Sequence, residues 1–341
     1  MPRLPRVRFA LIFAACVAAV FAAAGCGGSS SPSTPTTTVK PLQAAAKTAT
    51  TEFAKPSGKS LAELRQGMAE GLILAPSVSV LEPGTNRYGF ALFDSARKQV
   101  AEAPVALYVS RTDGTGVRGP YVAHSESLAV KPQFQSRTTA SDPNAAKSVY
   151  VARVPFSKPG RYRVTAITQL DGRPVSSSSF SAQVQPHGTR GLPPLVGDAA
   201  PKVDTPTLDD VAGDAAQIST RLPPATDLLQ TNLADVYGKK PVALLFATPA
   251  LCQSRVCGPV VDVMEQAKSE MGTDKVAFIT NEIYKDNRVD QGLRPQPMAY
   301  RLPTEPWLFV LDRQGRVAQR IEGAFSVAEL EAAVRRVEQA G

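Results

Sequence analysis

The sequence predicts a multi-domain chain, an all-β sandwich followed by an α/β domain. Three observations predict it. From about Leu72 to Val184, short alternating strands are separated by turn residues. Residues 186–205 are rich in Pro and Gly. Beyond them, continuous apolar runs of strand length alternate with stretches of helical periodicity. The 341 residues suffice for two ordinary domains, and 43% hydrophobic with 20% charged residues is a globular composition.

Residues 1–25 stand apart from both domains. Arg3, Arg6 and Arg8 precede an apolar run, and the small residues Ala23, Ala24 and Gly25 precede Cys26. That is the pattern of a secretory signal. Residues 26–59, rich in Gly, Ser, Thr, Pro and Ala without a sustained apolar period, read as a flexible tether. A short helix is expected around Leu61–Ala69.

Residues 60–185 form the predicted sandwich. "RYGFALF" alternates Tyr88, Phe90 and Leu92, and "VALYV" alternates Val105, Leu107 and Val109. "VYVARV", "RYRVTAIT" and "SFSAQV" follow. Pro83-Gly84, Asp113-Gly114, Pro159-Gly160 and Asp171-Gly172 supply the turns, for about seven strands. This half shows no catalytic constellation. Its histidine, His124, has no cysteine or second histidine near it in sequence, so a role in binding, spacing or assembly is expected.

Charge is uneven. Residues 54–185 carry 16 Lys and Arg against 9 Asp and Glu, whereas residues 186–341 carry 17 against 20. Loss of residues 1–25 would lower the net charge from +8 to +5. The more basic half lies nearer the start of the chain, where anionic lipid would favour it by about 1 kcal/mol per close charge. No basic run is interleaved with aromatics, so no nucleic-acid partner is expected.

In residues 206–341, "TNLADVYG" reads as a short helix stopped by Gly238, and "PVALLF" as a strand buried on both faces. Helical spacing of Val260, Val261, Met264 and Ala267 follows. "VAFIT", "PWLFVL" and "RVAQRIEG" are further strands. The terminal helix starts at Ser326, with Glu329 placed for a capping box.

Two of the chain's four cysteines, Cys252 and Cys257, lie between the first of these strands and its helix. Five residues of regular helix would turn about 500° and rise about 7.5 Å, which points the side chains apart. A disulfide needs Cα atoms within roughly 7 Å, so the segment between them must be a loop if they bond. Pro259 is tolerated only in a first helical turn, which puts the helix start near Cys257 or Gly258. A thiolate there meets the positive end of the helix dipole, which lowers its pKa, with Arg255 nearby.

Three resemblances add to this reading. The "AAGC" ending at Cys26 resembles the lipobox of bacterial lipoproteins, which implies lipidation of Cys26 and an exported protein anchored on the extracytoplasmic face of the membrane. "KPGRYRV" resembles the entry to a late strand of an immunoglobulin-like sandwich, with Tyr162 after the corner turn and Val164 where the usual cysteine would stand. Residues from about Asp204 to Gly341 resemble the thioredoxin-like superfamily, an α/β fold, through the two cysteines, Pro306 in "TEPWLFVLD" and the capped terminal helix. The combined layout resembles actinobacterial lipoproteins that join an immunoglobulin-like half to a thioredoxin-like half.

The thioredoxin-like resemblance implies a cis Pro306 facing Cys252 and Cys257, and thiol–disulfide exchange with protein thiols or disulfides of the cell envelope. "Cys257-Gly258-Pro259" resembles three residues of the thioredoxin Cys-Gly-Pro-Cys motif, with Val260 in place of the last cysteine. In a competing register Cys252 holds the nucleophile position. C-x4-C also resembles some peroxiredoxins, although Pro249 stands where they carry Thr or Ser, with Thr248 one residue further back. The strand "VALLFA" lacks the buried acid of many thioredoxins, which Glu305 or Glu282 would replace. Trp307 is a core aromatic or part of a substrate groove. A copper site of the Sco type lacks its histidine, since none follows His187. No metal, nucleotide or flavin cofactor is expected. The non-enzymatic alternative is an envelope binding or assembly module with a structural Cys252–Cys257 disulfide.

The signal pattern generates a first test. Cys26→Ser should lose metabolic lipid labelling and leave the membrane fraction. Unchanged labelling of that variant would remove the lipidation reading.

Overall fold

The computed structural model describes residues 52–272 and 274–340. The signal segment, Cys26 and the tether as far as residue 51 lie outside the described residues.

A four-residue helix, α1 (Leu61–Leu64), opens the described chain, with Ser60 and Glu63 forming a capping box. Nine strands follow: β1 (Ala69–Pro76), β2 (Gly84–Phe93), β3 (Gln99–Val100), β4 (Val105–Ser110), β5 (Arg118–Ser127), β6 (Ser148–Phe156), β7 (Gly160–Leu170), β8 (Arg173–Ser177) and β9 (Phe180–Val184). One short helix, α2 (Arg137–Ala140), interrupts the long β5–β6 connection. The β7–β8 turn shows how sequence sets local structure. Leu170 pairs with Arg173 across Asp171 and Gly172, both at positive φ (49° and 74°), the two-residue hairpin that Asp-Gly favours.

These strands do not make two open sheets. Hydrogen bonding runs β1-β8-β7-β4-β5-β6-β2 and returns to β1, a closed barrel of seven strands, with β3 beside β2 and β9 beside β7. Two strands turn the corners. β5 pairs through Val105↔Ala123 to Val109↔Arg118 with β4, then through His124↔Val151 to Ser127↔Ser148 with β6. β1 pairs with β8 up to Leu72 and with β2 from Ile73, with Gly71 at φ 141° near the switch. Closure removes the free edges that a sandwich leaves. Tyr88, Phe90, Leu92, Val105, Leu107 and Val109 fill the interior.

The second sheet has four strands in the order β11-β10-β12-β13. After α3 (Leu233–Val236), β10 (Val242–Phe246) runs parallel to β11 (Ala277–Asn281) and antiparallel to β12 (Trp307–Leu311). β12 pairs antiparallel with β13 (Val317–Glu322). Only two of its helices exceed five residues: α4 (Cys257–Met271), between β10 and β11, and α6 (Val327–Gln339), at the end. The others, α3 and α5 (Pro295–Ala299), are single short turns.

The expected multi-domain architecture, an immunoglobulin-like sandwich plus an α/β thioredoxin-like domain, is therefore corrected. The chain is mostly β, a closed seven-strand barrel with a second sheet and few helices. The described residues belong to one compact unit. The physical reason is shared burial. Leu128, Val149 and Val151 of the barrel half join the apolar cluster of α4 and α6, and Val80 joins the cluster on the opposite face of the second sheet. That opposite face is covered largely by irregular chain, including Leu192, Ala200 and Val203, where an α/β domain would place long helices.

Polar contacts reinforce the junction. Glu329 does not close a capping box on Ser326; it takes a two-pronged ion pair from Arg87 of β2 at 2.6 and 2.7 Å. Gly323 shows how closely the halves meet: a Cβ there would collide with the Ser77 backbone, so only glycine fits. At the other end, Arg221 is buried with Asp262 of α4 at 2.8 Å and also binds the carbonyls of Phe134 and Pro223.

Asp262→Ala leaves Arg221 charged and buried without its main partner, so it should cost about 3–5 kcal/mol of unfolding free energy. In urea titrations, Trp307 fluorescence and far-ultraviolet circular dichroism should trace one transition. Separate transitions for the two signals would contradict the shared core.

Candidate functional site

The site begins where β10 ends. Phe246 pairs with Trp307, Ala247 follows, and Leu251 N–H donates to the Thr248 carbonyl at 3.1 Å. Residues 252–256 form a loop, and α4 begins at Cys257, two residues before Pro259. The loop folds back because Arg255 adopts a left-handed conformation, φ 60°. For a residue with a Cβ this costs on the order of 1 kcal/mol. The fold-back brings the Cys252 and Cys257 Cα atoms to 5.9 Å, and the two sulfurs form a disulfide.

The barrel half fixes this loop. The Arg255 carbonyl accepts from Ala146 N–H at 3.1 Å, and its guanidinium pairs with Asp142 at 3.0 Å. Ser136 donates its backbone N–H and its hydroxyl to Asp262, each at 3.2 Å, and Arg137 N–H donates to the Leu222 carbonyl at 2.7 Å. The Thr139 side chain abuts Gly258.

The two sulfurs differ. Cys257 is fully buried, whereas Cys252 retains 8% exposure. Cys252 also lines a cavity of about 350 Å³ with Arg137, Thr138, Thr220, Ala250 and Arg255. The Ser254 hydroxyl donates to Cys252 Sγ at 3.2 Å. Cys257, by contrast, occupies the first position of α4. Val256 offers no side-chain cap and Pro259 carries no N–H, so the first-turn amides lack a capping side chain. A thiolate on Cys257 would sit against those amides.

Glu282 follows β11 and is buried. Thr220 donates its N–H at 2.6 Å and its hydroxyl at 2.7 Å to Oε1, and the same hydroxyl accepts Ala250 N–H at 3.1 Å. The carboxyl thus connects to the cysteine loop through one threonine. Its other oxygen, Oε2, is buried and has no partner of good hydrogen-bond geometry among the described residues. Burial pushes its pKa up, against the hydrogen bonds of Thr220 and the charge of Arg294.

Other sequence candidates lie elsewhere. The Glu305–Pro306 peptide is cis, and the Phe246↔Trp307 pairing puts Pro306 at the sheet end from which the cysteine loop departs. Neither residue lines the cavity beside Cys252. The Glu305 carboxyl is half-buried, which raises its pKa, and its charge is felt by Tyr284. Trp307 is buried and stacks on Phe309 with ring centroids 5.8 Å apart. His124 is exposed, its Nε2 3.0 Å from Glu126.

Sequence reading missed the barrel's contribution: Ser136, Arg137, Thr138 and Asp142. One signal was available. The connection between β5 and β6 spans residues 128–147, longer than ordinary loops between strands, and such loops usually have a function.

The raised Glu282 carboxyl has a pH signature. Above the ordinary carboxylate range the unfolded chain releases this proton, while the folded protein holds it until its own higher pKa. The stability so contributed is complete below that range and is lost as pH rises through the folded pKa, by up to about 1.4 kcal/mol per pH unit. Glu282→Gln keeps an oxygen for Thr220 and cannot ionise. Its unfolding free energy minus that of the parent should therefore rise as pH is raised above the ordinary carboxylate range in denaturant titrations. A difference independent of pH would mean that Glu282 titrates alike in both states.

No family model matches the chain, and no curated protein matches it. Solved structures are similar to parts of it. A thioredoxin-family thiol:disulfide interchange protein from Chlorobium tepidum TLS aligns over 44% of this chain and 97% of its own, at 18% identity and a TM-score of 0.28. The Lin-41 filamin domain aligns over 34% of this chain and 94% of its own, at 14% identity and a TM-score of 0.19. The human F-spondin reeler domain (fragment 1) aligns over 35% and 91%, at 11% identity and a TM-score of 0.20. Scores this low carry no argument about fold or activity here.

Proposed function

We propose that this chain carries out thiol–disulfide exchange through Cys252 and Cys257, as an exported protein held at the outer face of the membrane by lipid on Cys26. Its partners are protein thiols or disulfides of the cell envelope. The observation that carries the reading is the unequal setting of the two sulfurs: Cys252 opens to a cavity while Cys257 starts α4, buried.

The chemistry follows from that inequality. A partner thiolate attacks Cys252 Sγ, the reachable sulfur. A partner–Cys252 disulfide forms, the Cys252–Cys257 bond breaks, and its electron pair leaves on Cys257 as a thiolate. The helix start stabilises that leaving group, and a better leaving thiol departs faster. The partner's second thiolate then attacks its own bonded sulfur. It leaves as a disulfide, and Cys252 is freed as a thiolate. The reverse sequence reduces a partner disulfide.

A second reading is a static disulfide in an envelope binding or assembly protein. Its support is the bracing of the loop by Ala146 and Asp142 and the burial of Cys257. The reduction potential separates the two. A value above roughly −300 mV supports exchange, and a lower one supports the static bond. In single variants, Cys257→Ser should accumulate a mixed disulfide on Cys252 with a bulky disulfide probe, at a rate at least about tenfold above Cys252→Ser. Equal trapping by both variants would remove the assignment of Cys252 as the attacked sulfur. In small-reagent alkylation, Cys257 should titrate below the free thiol value of about 8.5.

A further inference from the structure

We infer that Arg137 selects exchange partners that carry a carboxylate beside the reacting sulfur. This rests on the exchange reading of Cys252 and goes further, since it names the class of partner and assigns a specificity role to the barrel half.

The cavity that exposes Cys252 has three charged walls: Arg137, Arg255 and Asp142. Asp142 and Arg255 neutralise each other at 3.0 Å. The Arg137 side chain makes no hydrogen bond or ion pair with any described residue, and Arg137 is exposed at the cavity. One net positive charge therefore faces the space that a thiol must enter.

The backbone that carries this charge is firmly held. Arg137 N–H donates to the Leu222 carbonyl, and the preceding residue, Ser136, is fully buried and hydrogen-bonded to Asp262. Asp262 is in turn held by Arg221. The remaining lining residues named above, Thr138, Thr220 and Ala250, are uncharged, so the one carboxylate among the lining residues is Asp142, which Arg255 pairs. Glu282 lies behind Thr220, buried, with its oxygen turned to that threonine.

The test uses the full oxidised chain and three small thiols: 3-mercaptopropionate (anionic), 2-mercaptoethanol (neutral) and cysteamine (cationic). Opening of the Cys252–Cys257 bond is followed by rapid alkylation and mass spectrometry, with rates expressed per thiolate. Comparing each rate between parent and variant cancels the intrinsic reactivity of each thiol. Arg137→Gln should slow 3-mercaptopropionate about threefold relative to 2-mercaptoethanol, the scale of one exposed charge contact. It should slow cysteamine less than either. Arg137→Lys should keep the preference, and high salt should erase it in the parent while leaving Arg137→Gln unchanged. If all three thiols open the bond and their ratios are the same in Arg137→Gln, the selectivity is refuted while exchange stands. If none opens the bond in either protein, the exchange reading fails and the selectivity falls with it.

Discussion

One buried ion pair, Arg221 with Asp262, decides how the two halves of this chain meet. A guanidinium and a carboxylate removed from water must have their hydrogen-bonding capacity met or the fold loses several kcal/mol. Here Arg221 serves Asp262, Glu265 and the carbonyls of Phe134 and Pro223. Asp262 spends its second oxygen on Ser136. The requirement to satisfy these charges pulls the long β5–β6 connection of the barrel onto α4. Because Cys257 begins that helix, the same contacts place barrel residues against the disulfide. The apolar residues Leu128, Val149 and Val151 then bury against α4 and α6, in a cluster separate from the barrel interior.

Access and helix position are separated at the cysteines. Cys257 has the helix start but no exposure, and Cys252 has exposure but lies in a loop without the helix amides. In exchange chemistry the two properties do different work: reachability chooses the sulfur that is attacked, and a low pKa chooses the one that leaves. On the proposed exchange, Cys257 at the start of α4 takes the leaving role.

Much of this was legible in the sequence because it depends on local rules. Pro259 located the start of α4, the apolar runs located β10, β11 and β12, and Asp171-Gly172 located a hairpin. The loop between Cys252 and Cys257 followed from helix geometry and Pro259, given a bond between the two sulfurs. What was not legible depends on distant pairing. β1 and β5 each change partners halfway, and nothing in their own residues names the second partner; that exchange turned an expected sandwich into a closed barrel. Glu329 is another instance. Its position three after Ser326 fits a capping box, but Arg87, 242 residues away, offers two hydrogen bonds in place of one. The sequence offered Glu305 and Glu282 alike as a buried acid, and the fold buries only Glu282, while Arg137 mattered only once the β5–β6 connection was seen beside Cys252.

The unusual C-x4-C spacing acquires a physical meaning from the same contacts. A loop of four residues between the cysteines is long enough to turn through a left-handed Arg255 and still close the disulfide at a Cα separation of 5.9 Å. That conformation costs free energy, and the fold retains it because both ends of Arg255 are used: the carbonyl by Ala146 and the guanidinium by Asp142. A shorter loop would lack the residue that reaches the barrel. The additional residues therefore tie the cysteine pair to the other half of the protein, so that the cavity at Cys252 is lined by barrel residues as well as by the start of the helix that carries Cys257.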